Sequence, residues 1–90
     1  MRFEWNAAKA AANLKKHGVS FTEAATVFTD EHAFIQDDEL HFDEEDRQVI
    51  LGYSQRNRLL IVSFVRPELN LVRLITARVA TPRERMIYEE

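Results

Sequence analysis

The 90-residue chain is long enough for one domain with a modest buried core and too short for several. It is 46% apolar and 30% charged, the balance of an ordinary soluble globular protein, and the absence of cysteine excludes disulfides and thiolate metal centres. A formal net charge of −3, taken as a total, counts against a nucleic-acid binder.

Phe3 and Trp5 alternate with charged neighbours and predict a short first strand. Asn6 is a good N-cap, and the helix formers from Ala7 to His17 run up to Gly18, which supplies a C-terminal stop. On that helix Ala7, Ala10, Ala11 and Leu14 form a narrow apolar stripe, small enough for close approach to a sheet. Lys9, Asn13, Lys16 and His17 share another side. Ser20-Phe21-Thr22-Glu23 matches a capping box and predicts a second helix to about Phe28, with Ala24, Ala25, Val27 and Phe28 as its buried side.

Residues 33–36 read as a short strand leading into an acidic stretch. Residues 30–46 hold nine acids (Asp30, Glu31, Asp37, Asp38, Glu39, Asp43, Glu44, Glu45, Asp46) and neither Lys nor Arg. The rest of the chain carries twelve basic and six acidic residues, a body of net charge +6, so patches describe it better than the total does. The simplest reading of the block is a solvated loop. Residues 47–54, 59–66 and 71–78 then predict three strands joined by polar turns at 55–58 and 67–70, an antiparallel meander. Thr81-Pro82-Arg83-Glu84 combines an N-cap Thr, a Pro at the first helical position and a capping-box Glu, and opens a last helix toward Glu90. The expected fold is α+β, with an antiparallel sheet of three to four strands carrying two N-terminal helices and one C-terminal helix. A single domain over residues 1–90 is expected. Arg2 and Glu4 fall where a signal peptide needs an apolar core, and the run from Leu59 to Val65 is far too short to span a bilayer, so a cytoplasmic location without membrane contact is expected.

Arg73, Arg78, Arg83 and Arg85 concentrate positive charge near the C-terminus, and residues 69–83 contain no acidic side chain. Guanidinium groups at a strand end and a helix N-terminus suit a polyanion. Arg83 and Arg85 fall in a first helical turn, where the dipole disfavours cations, and Arg73 interrupts an apolar alternation. Ordinary surface charge is the competing explanation. In a regular strand Arg73 shares a face with Leu71, Ile75 and Ala77, and Arg78 shares the opposite one with Val72, Leu74 and Thr76. The two can serve one site only if a bulge or strand-end twist re-aims one of them. His17 can act as a general acid or base near neutral pH, or simply cap the last carbonyls of its helix. His17, His32 and His41 lack paired metal-ligand spacing, and neither a metal nor another cofactor is expected. Phe3, Trp5, Phe21 and Phe28 read as core rather than as base-stacking platforms. Metal-free RNA cleavage fits this inventory, because the ribose 2′-hydroxyl is the nucleophile and the protein supplies cations and a proton carrier: His17, Glu84 or Tyr88.

Several blocks resemble BrnT-type toxins. They are Phe3-Glu4-Trp5-Asn6 with Lys9 and Asn13, Lys16-His17-Gly18-Val19-Ser20-Phe21, and Glu23-Ala24 with Val27-Phe28. Further along come Glu45-Asp46-Arg47 with Leu51-Gly52, then Arg58-Leu59-Leu60-Ile61-Val62 and Arg73-Leu74-Ile75-Thr76-Ala77-Arg78. Ala80-Thr81-Pro82-Arg83-Glu84-Arg85 with Tyr88-Glu89 extends the likeness over nearly the whole chain. The chain departs from the family at Phe64-Val65, where a Tyr-Thr pair is frequent, and at Phe42, where a Ser commonly follows the loop His. The first change removes a hydroxyl. The resemblance implies a RelE-like ribonuclease toxin of a bacterial type II toxin–antitoxin system, cleaving messenger RNA and so inhibiting translation. It also implies a BrnA-type ribbon-helix-helix antitoxin as partner, with operator DNA reached only through that antitoxin. The RNA-cleaving surface carries onto Arg73 and Arg78, with Lys16, His17, Arg83 and Tyr88 as neighbours; Arg85 enters as a phosphate contact only through the C-terminal arginine cluster. A binding module without activity, engaging only antitoxin or RNA, is the alternative.

Overall fold

The computed structural model describes residues 1–38 and 46–90; His41, Phe42 and the acids Glu39, Asp43, Glu44 and Glu45 lie outside the described residues. Helix ends follow local chemistry. Asn6 opens α1 (Ala7–His17) by accepting a hydrogen bond from the Lys9 amide, and Gly18 closes it in the left-handed region at φ 69°. Ser20 caps α2 (Phe21–Thr26) through the Glu23 amide, and the chain then tightens into a 3₁₀ turn over Val27–Thr29. Thr81 and Glu84 exchange both capping-box hydrogen bonds at the start of α3 (Pro82–Glu89).

The strands are β1 (Arg2–Glu4), β2 (Phe34–Asp37), β3 (Gln48–Tyr53), β4 (Leu59–Glu68) and β5 (Leu71–Val79). They form one sheet in the order β1-β5-β4-β3-β2. The meander β3-β4-β5 is antiparallel, as expected, and β2 joins it antiparallel to β3. The expectation of a purely antiparallel sheet of three to four strands is corrected by β1, which runs parallel to β5 and makes the sheet mixed and five-stranded. The alternation at Phe3 announces this short strand, but its pairing with a partner almost 70 residues away leaves no local trace in sequence. The turn expected at 67–70 is also tighter, because β4 runs on to Glu68. The β4–β5 register slips between Val65 and Glu68, where Pro67, lacking an N–H, removes nothing that the ladder needs.

One sheet face packs against the first two helical segments. Val19, Phe21, Ala24 and Val27 meet Ile50, Leu60, Val62, Phe64, Val72, Leu74 and Ala77, all buried. Phe28 bridges Phe3 and Phe64 edge-on, with ring centroids at 5.2 and 5.0 Å. Gly52 lets this layer close: a Cβ there would stand 2.7 Å from the Ala33 Cβ.

Helix α1 departs from its expected role. Of the stripe Ala7, Ala10, Ala11 and Leu14, Ala10 packs against the core while the other three are exposed, and Asn13, read with the polar side, is the one buried residue of α1. The reason is backbone satisfaction. β1 covers the β5 edge only as far as Arg73, and beyond it the Asn13 carboxamide takes over the ladder. Its Nδ2 donates to Ala77 O at 2.8 Å and to Val19 O at 2.9 Å, while its Oδ1 accepts from Ala77 N at 3.0 Å. Helix α3 also differs, since it has no buried residue and contacts β3 by the sheet face that α1 and α2 leave open. Among the described residues no helix is long and apolar enough to cross a membrane.

Candidate functional site

A β-bulge builds the site. Thr76 pairs with Ser63 but Leu74 pairs with Phe64, so Ile75 has no partner on β4. The extra residue resets the alternation: Val72, Leu74 and Ala77 all enter the core, although regular spacing would separate Ala77 from the other two. Cross-strand partners share a face, so Arg73 with Val65, Thr76 with Ser63, and Arg78 with Ile61 all stand on the opposite, open face. The obstacle that strand parity sets against Arg73 and Arg78 is thus removed. Five residues apart in sequence, they are four ladder steps apart, roughly 13 Å by the strand rise.

Each arginine is held by a carboxylate. Arg73 Nε donates to Glu4 Oε2 at 2.6 Å, across the parallel β1–β5 pair. Arg78 donates through Nη1 and Nη2 to the two Glu84 oxygens at 2.8 and 2.9 Å. Glu84 is also the capping-box residue of α3, so the start of that helix fixes the Arg78 guanidinium. The Arg78 hydrogen bonds hold the Glu84 carboxyl below its ordinary range against the opposing effect of burial, and the same contact raises Arg78. Between the arginines, the Ser63 and Thr76 hydroxyls lie 2.6 Å apart.

Two clefts meet at Thr76. The first, about 630 Å³, is lined by Ile61, Ser63, Thr76, Arg78 and Glu84 together with Arg47. Asp37 and Asp38 line it as well, so this part of the acidic block, read as a solvated loop, contributes a strand end and a cleft wall. The second, about 370 Å³, is lined by Lys9, Asn13, Lys16 and His17 of α1, with Arg47, Ile75 and Thr76. Arg47 and Thr76 belong to both, which joins the α1 cations to the arginine face.

The expected site residues divide accordingly. Arg78, Lys16 and His17 line these clefts, and Arg73 stands on the same sheet face. Arg83 is exposed on α3 and lines neither cleft. Arg85 donates to the Tyr53 hydroxyl at 2.9 Å, and Tyr88 donates to Asp30 Oδ2 at 2.7 Å with its ring edge-on to Tyr53 at 5.3 Å. Neither lines either of these two clefts; both tie α3 to the sheet. Burial, reinforced by the Asp30 contact, pushes the Tyr88 hydroxyl up to about 12. Asp30 is itself opposed by burial, yet hydrogen bonds from the Tyr53 amide, Tyr88 and the His32 amide keep its carboxyl lowered. Sequence reasoning missed Arg47, Ser63 and Thr76 as cleft residues. The alternation of β4 could have flagged Ser63, a polar residue inside an apolar run, but its neighbours on the open face follow only from the bulge.

The family model described as the ribonuclease toxin BrnT of type II toxin–antitoxin systems matches residues 5–84, a stretch that includes Lys16, His17, Arg73, Arg78 and Glu84. No curated protein matches the chain. Among solved structures, the crystal structure of the Brucella abortus ribonuclease toxin BrnT at 1.1 Å resolution superposes with a TM-score of 0.71 and 20% identity. That match covers 90% of this chain and 97% of the Brucella chain, and at such identity it speaks for the fold. The family match extends over most of the chain, which therefore belongs to the BrnT family of ribonuclease toxins of type II toxin–antitoxin systems.

Proposed function

We propose that this toxin is a metal-independent RNA endonuclease acting on messenger RNA in the cytoplasm, with Arg73 and Arg78 on the substrate backbone. One observation carries the proposal: the β5 bulge sets Arg73, Thr76 and Arg78 on one open face, next to a cleft lined by Lys9, Lys16 and His17. The reaction is an internal transfer. The ribose 2′-oxygen attacks the adjacent phosphorus and gives up its proton, the 5′-oxygen leaves and takes a proton from solvent, and the products end in a 2′,3′-cyclic phosphate and a 5′-hydroxyl. Guanidinium groups stabilise the charge that grows on the phosphorane oxygens. Of the three proton carriers considered, Glu84 is bound to Arg78 and Tyr88 to Asp30, which favours His17 as the base that takes the 2′-proton. Neutralisation is assigned to a BrnA-type ribbon-helix-helix antitoxin, whose acidic or helical segment covers the same basic surface and which alone contacts operator DNA. Lys16 then contributes backbone charge, and Arg83 and Arg85 add to the field at the α3 end of that surface.

The ion pairs of Arg73 and Arg78 favour a second reading, in which both are structural and the protein only binds antitoxin or RNA. Purified toxin incubated with RNA and excess chelator separates the two. The endonuclease yields fragments under these conditions, and its Arg78→Ala variant, still folded, neither cuts RNA nor arrests growth. RNA that stays intact while bound rejects the endonuclease.

A further inference from the structure

Among the described residues Trp5 is the large aromatic that the core does not absorb. It reads in sequence as a core residue, yet it is 38% exposed while Phe21, which it touches edge-on at 6.0 Å, is buried. Its backbone is fixed on both sides: Glu4 pairs with Arg73 in the β1–β5 ladder, and the Asn6 side chain caps α1 by accepting from the Lys9 amide. The backbone that carries the indole is therefore fixed and its ring rests on Phe21, which lowers the ordering entropy to be lost on contact. A cleft of about 440 Å³ opens beside it, lined by Trp5, Lys9 and Arg73 together with Glu4 and Asn6. Lys9 also lines the His17 cleft, which in turn shares Thr76 and Arg47 with the Arg78 cleft. One path thus runs from Arg78 past His17 to Trp5, with cations along its length.

Resting on the RNA-directed reading above, we infer that Trp5 is the stacking platform for an unpaired nucleobase, a subsite at the end of the groove remote from Arg78. A cleft that brings an exposed indole together with Lys9 and the Glu4-paired Arg73 suits a single strand, in which flat apolar bases hang between phosphates. Stacking of this kind accepts any base, since every base presents a π-face, so the subsite adds affinity and register rather than sequence choice.

Trp5 is the chain's single tryptophan, so its emission reports this site alone. The test titrates the intact toxin with a single-stranded oligonucleotide of 2′-O-methyl riboses, which lacks the attacking hydroxyl. Binding is followed in parallel by anisotropy of a label on the oligonucleotide. The expected result is quenching of the indole with the same midpoint as binding. Trp5→Ala weakens binding by about ten-fold and Trp5→Phe restores most of it. Because Trp5→Ala also removes a contact with Phe21, a second probe leaves the protein intact: abasic substitutions stepped along the oligonucleotide reproduce the loss at one position. Binding without quenching, and insensitive to abasic substitution at every position, overturns the subsite while leaving RNA recognition standing. Absence of binding overturns both.

Discussion

Replacing Asn13 by Leu tests whether one carboxamide completes the β5 edge. The substitution keeps the branched four-atom side-chain skeleton and removes three hydrogen bonds of 2.8 to 3.0 Å. What it leaves behind matters more than what it deletes: the Ala77 N–H and the Ala77 and Val19 carbonyls lose their partner at a buried position. A stranded buried backbone group costs about 1–3 kcal/mol, and water entering from the adjoining cleft reduces the sum. The expected net loss is about 3 kcal/mol, a drop in Tm of roughly 12–20 °C for a domain of this size. Urea unfolding of the variant and wild type reads this as a fall in midpoint at constant slope. Native-state hydrogen exchange adds a local signature, since the Ala77 amide should lose protection beyond the global change. A variant within about 0.5 kcal/mol of wild type refutes the reasoning and shows that the edge finds other partners.

Other consequences follow from the same contacts. Gly52→Ala places a methyl 2.7 Å from Ala33 Cβ and 3.0 Å from Asp30 Oδ2, and should lower the urea midpoint by the equivalent of about 1–3 kcal/mol; an unchanged midpoint contradicts the close packing. Tyr88→Phe removes the hydroxyl bond that ties α3 to Asp30 and should cost about 1–2 kcal/mol with RNA cleavage retained; loss of cleavage at undiminished stability would return Tyr88 to the chemistry. Glu23 is lowered chiefly by its Arg58 hydrogen bond, as Glu84 is by Arg78, and Asp30 is lowered by its donors despite burial. Carboxyls depressed in the folded state contribute stability above their unfolded values and lose it as pH falls through the folded ones. Stability should therefore hold above about pH 5 and decline below about pH 4 in acid titration followed by circular dichroism. A rise in stability on acidification through that range contradicts these pairings. Tyr88 acts in the opposite sense: its raised value contributes stability below pH 10, lost as pH rises toward 12.

Features governed by neighbours in sequence were legible. Asn6, Ser20 and Thr81 cap the helices they announce, and Gly18 ends α1, because capping involves groups within four residues of one another. The three meander strands follow from their alternation and turns. What escaped depends on contacts distant in sequence. The pairing of β1 with β5, the exposure of Leu14 and the burial of Asn13 are decided by which backbone edge needs covering, and the hydrophobicity of α1 carries no record of it. The bulge at Ile75 belongs to the same class. Parity indicated that Arg73 and Arg78 need one in order to meet, but its position reflects how β4 and β5 fill the core together. Within the acidic stretch Glu31, Asp37 and Asp46 are exposed, as a solvated reading expects, whereas Asp30 departs from it by collecting three hydrogen bonds that fasten β3 and α3.

The joint action of Arg73 and Arg78 on one RNA strand is tested most directly by the chemistry of the cut ends. Wild type with excess chelator should leave 5′-hydroxyl and 2′,3′-cyclic phosphate ends. Arg73→Ala and Arg78→Ala, each shown to be folded, should lower kcat/KM by roughly a hundred-fold or more. Full cleavage by either variant, or cleavage that stops with chelator and leaves 3′-hydroxyl ends, would contradict the assignment.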